Sequence, residues 1–269
     1  MTCEHPIGAS ILCFGCLVLI SPTVAQENAD ELAKKLSNPL AAMISVPLQS
    51  NFDFGAGEDN GFAYTLNIQP VIPISINDDW NMISRTILPI AYRDYLPPPD
   101  GDTFGLGDIT QSLFISPKAP GPSGITWGAG PVFLIPTATD DFLGTGKFGI
   151  GPTAVVLKQT GPWTVGALAN HIWSVAGDDD REDVNSTFLQ PFVAYALGHG
   201  TTLNLNTETT YDWIADQWTV PINFGVSQVF NIGKQAMSIQ VGGKYYAEKP
   251  EGGPDWGIRT TLTFIIPEK

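Results

Sequence analysis

WTVGALANHIWS, Trp163 to Ser174, is the stretch whose reading decides the fold. Trp163, Val165, Ala167, Ala169 and Trp173 share one parity, with His171 as its polar member, while Thr164, Gly166, Asn170 and Ser174 lie between them. Alternation with a period of two belongs to a strand whose two faces meet different media. The same pattern restarts along the chain, at 42–54, 62–76, 80–92, 107–116, 125–136, 148–157, 163–174, 185–197, 201–211, 217–230, 236–246 and 256–266. Segments of this kind, separated by turn residues, predict an all-β fold: a transmembrane antiparallel up-and-down β-barrel of twelve strands, with an apolar face toward lipid and a polar face toward a lumen.

Around these segments the connections alternate in kind. Asn77 to Asp79, Lys158 to Pro162, Gly198 to Gly200 and Asn231 to Gln235 are short, and 117–124 is somewhat longer. Gly55 to Gly61, Arg93 to Leu106, Thr137 to Lys147, Val175 to Val184, Asp212 to Asp216 and Ala247 to Asp255 are mostly longer and acidic. Short periplasmic turns opposite long outer loops, with an even strand count, fit a barrel of the Gram-negative outer membrane.

The aromatic residues give a second line of argument. Trp163 and Trp173 share a face ten residues apart, about 33 Å along a strand, which at a tilt near 40° projects to about 25 Å, the height of a lipid-facing band. Trp80 and Tyr92 bracket another segment on one parity. Tyr92, Trp173, Tyr211, Trp218 and Trp256 are expected in an outer aromatic girdle, and Trp80, Trp163 and Phe264 in an inner one. A soluble β-sandwich offers no reason for Trp at both strand ends on one parity. Pro47, Pro70, Pro73, Pro89, Pro131, Pro152, Pro191 and Pro221 fall within the proposed strands. Each removes a ladder donor, so bulges are expected there and ten strands stay open beside twelve.

Composition sets further bounds. The apolar run Ile7 to Ile20, followed by Thr23-Val24-Ala25, reads as a signal peptide over 1–25. Cys3, Cys13 and Cys16 all lie within it, so the remaining chain holds no disulfide framework. Residues 26–40 are expected as a periplasmic or lumen-tucked segment, with Ala29, Leu32, Ala33 and Leu36 on one helical face and Pro39 ending the pattern. The barrel then occupies 41–269. No other segment reaches the roughly 18 apolar residues of a spanning helix. A formal net charge of −14 argues against nucleic acid, whose phosphates need a basic face.

Three motifs point to other chemistry. Gly144, Gly146 and Gly149 spell G-x-G-x-x-G, but the dinucleotide fingerprint must open a helix, and Phe148 to Leu157 alternates like a strand. His171 and Ser174 could suggest a lipid hydrolase, yet odd spacing places them on opposite faces of one strand. Only a Ser from a neighbouring strand would revive that alternative. Asp178 to Asp183, acidic but for Arg181, lacks the alternate spacing of a calcium loop and reads as a solvated tip. No catalytic residue, metal or cofactor is therefore expected.

Inward parity assigns Asp53, Asn67, Gln69, Arg85, Asn204, Asn206, Glu208, Lys244 and Arg259 to the lumen. Such groups either pair and fill the interior, giving a structural barrel, or line a narrow passage of the width that twelve strands permit. The stretches NPLAAMISVPLQSNFDFG (38–55), GLGDITQSLFISP (105–117), GPVFLIPTAT (130–139), LGTGKFGIGP (143–152) and HIWSVAGD (171–178) together resemble the outer-membrane transporter family grouped under the MetA pathway of phenol degradation. The resemblance implies an outer-membrane channel for small aromatic or apolar solutes. Its partners would be outer-membrane lipid, lipopolysaccharide and the barrel assembly machinery. It brings no catalytic or binding residues with it.

Overall fold

The computed structural model describes residues 22–57, 60–95 and 101–266. The expected signal peptide lies mostly outside these, and Pro22–Ala25 forms the start of helix α1 (Pro22–Leu36). The strands are β1 (Ile44–Ala56), β2 (Gly61–Ile68), β3 (Val71–Ser75), β4 (Trp80–Arg93), β5 (Thr103–Leu106), β6 (Ile109–Pro117), β7 (Ile125–Ile135) and β8 (Lys147–Thr160). They continue as β9 (Trp163–Gly177), β10 (Asn185–Gly198), β11 (Thr201–Thr207), β12 (Thr209–Asp212), β13 (Gln217–Ile232), β14 (Gln235–Glu248) and β15 (Trp256–Ile266). β2 with β3, β5 with β6, and β11 with β12 are each one wall strand with an interruption, so the barrel has twelve antiparallel strands. It closes where β1 pairs β15, from Ile44 opposite Ile266 to Phe54 opposite Trp256.

The interruptions have one cause. Gln69, Gly107 and Glu208 each lie in a break, and each donates its amide to a proline carbonyl on a neighbouring strand: Gln69 to Pro47 (2.9 Å), Gly107 to Pro89 (2.9 Å) and Glu208 to Pro221 (3.3 Å). Proline has no N–H to return, so half of each reciprocal pair is missing and the ladder lapses for a residue or two. Two further lapses flank Pro131 and Pro152, which face each other across β7 and β8. There β6–β7 skips Leu113 and Phe114, and β8–β9 skips His171 and Ile172. A Cβ at Gly130 or Gly151 would overlap the carbonyl of Leu113 or His171, so glycine permits the close approach at both.

Side chains alternate across the wall. On β13, Trp218, Ile222, Phe224 and Val226 are exposed on the outside, while Asn223 is buried inside. Trp80, Tyr92, Trp163, Trp173, Tyr211, Trp218, Trp256 and Phe264 all share the outward parity of their strands. Several pack on neighbours: Trp256 stacks on Phe54 (4.6 Å), Tyr211 lies tilted against Trp218 (4.6 Å) and Trp163 meets Tyr195 edge to face (4.6 Å).

The expectation of a polar inner face fails over part of the barrel. Ile83, Phe114, Val155, Leu157 and Leu168 point inward in the half nearer the short turns and form one buried cluster with Leu40. Their physical reason is the N-terminal segment, which needs an apolar seat. Strand ends also differ from expectation: β8 and β9 run to Thr160 and Gly177, and a short strand, Thr103–Leu106, lies inside the expected loop 93–106.

Candidate functional site

The interior of the barrel is built from three layers. Nearest the short turns is the N-terminal segment. Asp30 accepts the Gly200 amide (2.5 Å), and Gln159 Nε2 donates to the Lys34 carbonyl (2.9 Å), fixing α1 across two short turns. The Ser37 amide closes on Ala33 O (3.2 Å) and Asn38 Oδ1 accepts the Leu40 amide (2.9 Å), so the chain turns sharply after the helix. That turn drives Leu40 into the lumen, where it is 6% exposed against Phe114. Gly128 makes room, since a Cβ there would stand 3.0 Å from Leu40 Cδ2.

Toward the long loops lies a belt of charge. Lys244 Nζ is 2.9 Å from Asp53 Oδ1, and Arg259 grips Glu208 through two hydrogen bonds while its Nε donates to Asn51 Oδ1 (2.8 Å). Asn223 donates to Asn206 (3.0 Å) and Asn204 to Ser227 Oγ (3.1 Å). Arg85 contacts neither ion pair directly and donates to Gln69 Oε1 (3.1 Å). Asn67 and Gln69 both donate to Gln49 Oε1, at 3.3 and 2.8 Å. The structure thus brings Asp53 and Lys244 into a buried pair, Glu208 and Arg259 into a partly buried one, and Asn67, Gln69 and Arg85 into a chain of hydrogen bonds. A buried pair of this kind is held by its geometry, because removing one member leaves an uncompensated charge.

Between plug and belt is a cavity of about 290 Å³. Gln49, Gln69, Arg85, Gln190 and Gln240 are among its polar lining residues. Val71, Leu168 and Phe192 are among its apolar lining residues, and the N-terminal segment contributes Leu36 and Met43 as well as Lys35. Its chemistry suits a small solute with an apolar body and a polar end.

The long-loop rim holds residues that sequence reasoning undervalued. Arg181, in the acidic run, donates through Nη2 to the carbonyls of Asp141 (2.7 Å) and Gly144 (2.5 Å). Asp183 pairs with Lys147 Nζ at 3.1 Å, and the Lys147 side chain holds its carboxyl below the ordinary aspartate range, with a hydrogen bond from Ser174 adding to the effect. Asp108 accepts the Thr145 amide (2.6 Å) and hydroxyl (2.8 Å). The run is therefore stitched to the loop before β8, and the lone arginine among acids was its signal. After Gly144 and Gly146 the chain enters strand β8, so no helix N-terminus is present to bind a phosphate.

His171 lies on the outward face, where Nδ1 meets Thr187 Oγ1 at 2.7 Å, Trp213 Nε1 donates to the same hydroxyl (2.8 Å) and the Trp173 ring lies tilted against it at 4.1 Å. Ser174 lies on the opposite parity and donates to Asp183 (3.1 Å).

Among solved structures, the outer-membrane channel of Pseudomonas putida F1 aligns over 83% of this chain and 93% of its own, at 17% identity and a TM-score of 0.63. The fold is that of an outer-membrane β-barrel. A phospholipase from the Salmonella typhi outer membrane (9% identity, 83% and 91% coverage, TM-score 0.47) and a FadL homologue of Pseudomonas aeruginosa (10%, 86% and 92%, 0.38) align more loosely. No protein-family model matches the chain, and neither does any curated protein sequence.

Proposed function

We propose that this chain is a passive channel of the Gram-negative outer membrane, admitting small solutes with an apolar or aromatic body, and that its N-terminal segment restricts the passage. The observation that carries the reading is the mixed cavity of about 290 Å³ between the Leu40 plug and the charged belt. A scaffold needs a filled interior; here a partly open space remains between the N-terminal segment and the wall. The fold shared with a channel and the family resemblance of the motifs support the same reading. The short turns would then face the periplasm, residues 1–25 would be removed on export, and lipopolysaccharide would meet the aromatic and loop residues of the outer rim.

Liposome swelling tests this reading. Purified protein should admit small neutral solutes and exclude larger sugars, and deletion of 26–43 should raise the rate and the size limit together. Impermeability both with and without the segment would leave a filled scaffold.

A further inference from the structure

We infer that the cavity beside Arg85 is a binding site for small monocarboxylates with an apolar body, of the size and chemistry of benzoate. This names the solute class of the proposed channel and rests on that reading for its role, though not for its measurement.

The argument begins with an imbalance. Three inward cations stand near mid-barrel, and two of them, Lys244 and Arg259, have a carboxylate within 2.9 Å. Arg85 has no ion-pair partner among the described residues. A guanidinium carries five N–H donors, and the single side-chain bond from Arg85 is Nη2 to Gln69 Oε1 at 3.1 Å. Gln69 is held in turn by its own Nε2 donating to Gln49 Oε1 at 2.8 Å, which keeps its carbonyl turned toward Arg85. The fork is thus oriented with donors to spare.

A cation lining a cavity without a counter-ion favours an anion, and a planar fork matches a carboxylate with two parallel hydrogen bonds. Lys35, which also lines the cavity, is neutralised by Glu31 at 2.7 Å. Arg85, Lys244 and Arg259 against Asp53 and Glu208 leave an excess of one positive charge, so a monoanion balances it and a dianion overshoots. Leu168 and Phe192, on β9 and β10 across the barrel from β4, also line the cavity, and Val71 lies directly opposite Arg85 in the β3–β4 register, which suits an apolar body. A volume of about 290 Å³, at the low end for ligand sites, holds a single ring with its carboxylate.

Equilibrium dialysis of the full-length purified protein in detergent measures this without transport. At pH 7.5 the wild type should bind benzoate at least tenfold more tightly than benzamide, with benzylamine weakest. Arg85→Gln should abolish the preference through a loss of benzoate affinity of at least tenfold; Arg85→Lys, which keeps the charge but loses the fork, should fall between. Heat-modifiable mobility on gels checks that each variant closes its barrel. The wild-type comparison stands even where a variant does not. Equal binding of benzoate and benzamide, no benzoate binding at all, or a preference that survives Arg85→Gln would overturn the site. Swelling rates with neutral solutes judge the channel separately: a protein that binds benzoate but passes nothing retains the site and loses the channel.

Discussion

The guanidinium of Arg259 lies against the carboxylate of Glu208, with Nη1 2.8 Å from Oε1 and Nη2 2.7 Å from Oε2. Arg259 comes from β15 and Glu208 from the break between β11 and β12, so the bond spans the lumen rather than neighbouring strands. Arg259 is buried and Glu208 is half-buried, and each is the other's principal neutralising group. Glu208→Gln should therefore destabilise the barrel by about 3 to 5 kcal/mol, the cost of stranding a buried charge. In a barrel that conducts, it should also shift preference toward anions, because fixed charge in a confined path biases ion entry. Urea midpoints in detergent and reversal potentials under a salt gradient read the two effects.

The outward and inward faces of β13 make separate demands. Phe224 is 59% exposed on the outside, whereas Ser227 lines the cavity. Phe224→Arg should cost about 2 to 4 kcal/mol in lipid. Ser227→Arg should cost much less, since its charge enters a polar space. Equal unfolding costs at the two positions would show that the faces are assigned wrongly.

That contrast also shows what the sequence makes legible. Where one face is apolar and the other polar, as in Val220 to Val226, a period of two is unmistakable and the girdle tryptophans mark the ends. Where both faces are apolar, the period disappears: Leu113-Phe114-Ile115 and Ala154 to Leu157 read as plain apolar runs. Phe114, Val155 and Leu157 there point inward because Leu40 arrives from a segment more than seventy residues earlier, and no local pattern encodes that meeting. The strand prolines were visible as anomalies. Their pairing with Gln69, Gly107 and Glu208 depended on register, which the sequence alone does not supply.

Acid should loosen the long-loop rim. Lys147 holds the Asp183 carboxyl below its ordinary range. The contact therefore contributes fully above the ordinary aspartate pKa of about 3.9 and is lost as pH falls through the lowered value. Hydrogen exchange of amides in 178–184 should stay constant from about pH 7 to pH 5, after correction for intrinsic rates, and accelerate at about pH 3 and below. Asp183→Asn should be fast across the whole range.

The orientation follows from the lengths of the connections. A cysteine at Asp179, in a long loop, should react with an impermeant maleimide on intact cells. One at His199, in the short turn beside α1, should react only after the outer membrane is opened. The reverse labelling pattern would invert the barrel.

The central claim is that Leu40, seated among Ile83, Phe114 and Leu157, closes a passage that the barrel otherwise provides. Leu40→Asp places a charge in that apolar seat and should expel the segment while leaving the wall strands paired. Planar-bilayer recording of Leu40→Asp beside the wild type measures this most directly. The account predicts that the wild type shows small or rare openings and that Leu40→Asp conducts severalfold more, with the increase retained when residues 26–43 are deleted. Silent membranes for Leu40→Asp and for the deletion alike, from protein whose barrel is closed by gel mobility, would contradict it.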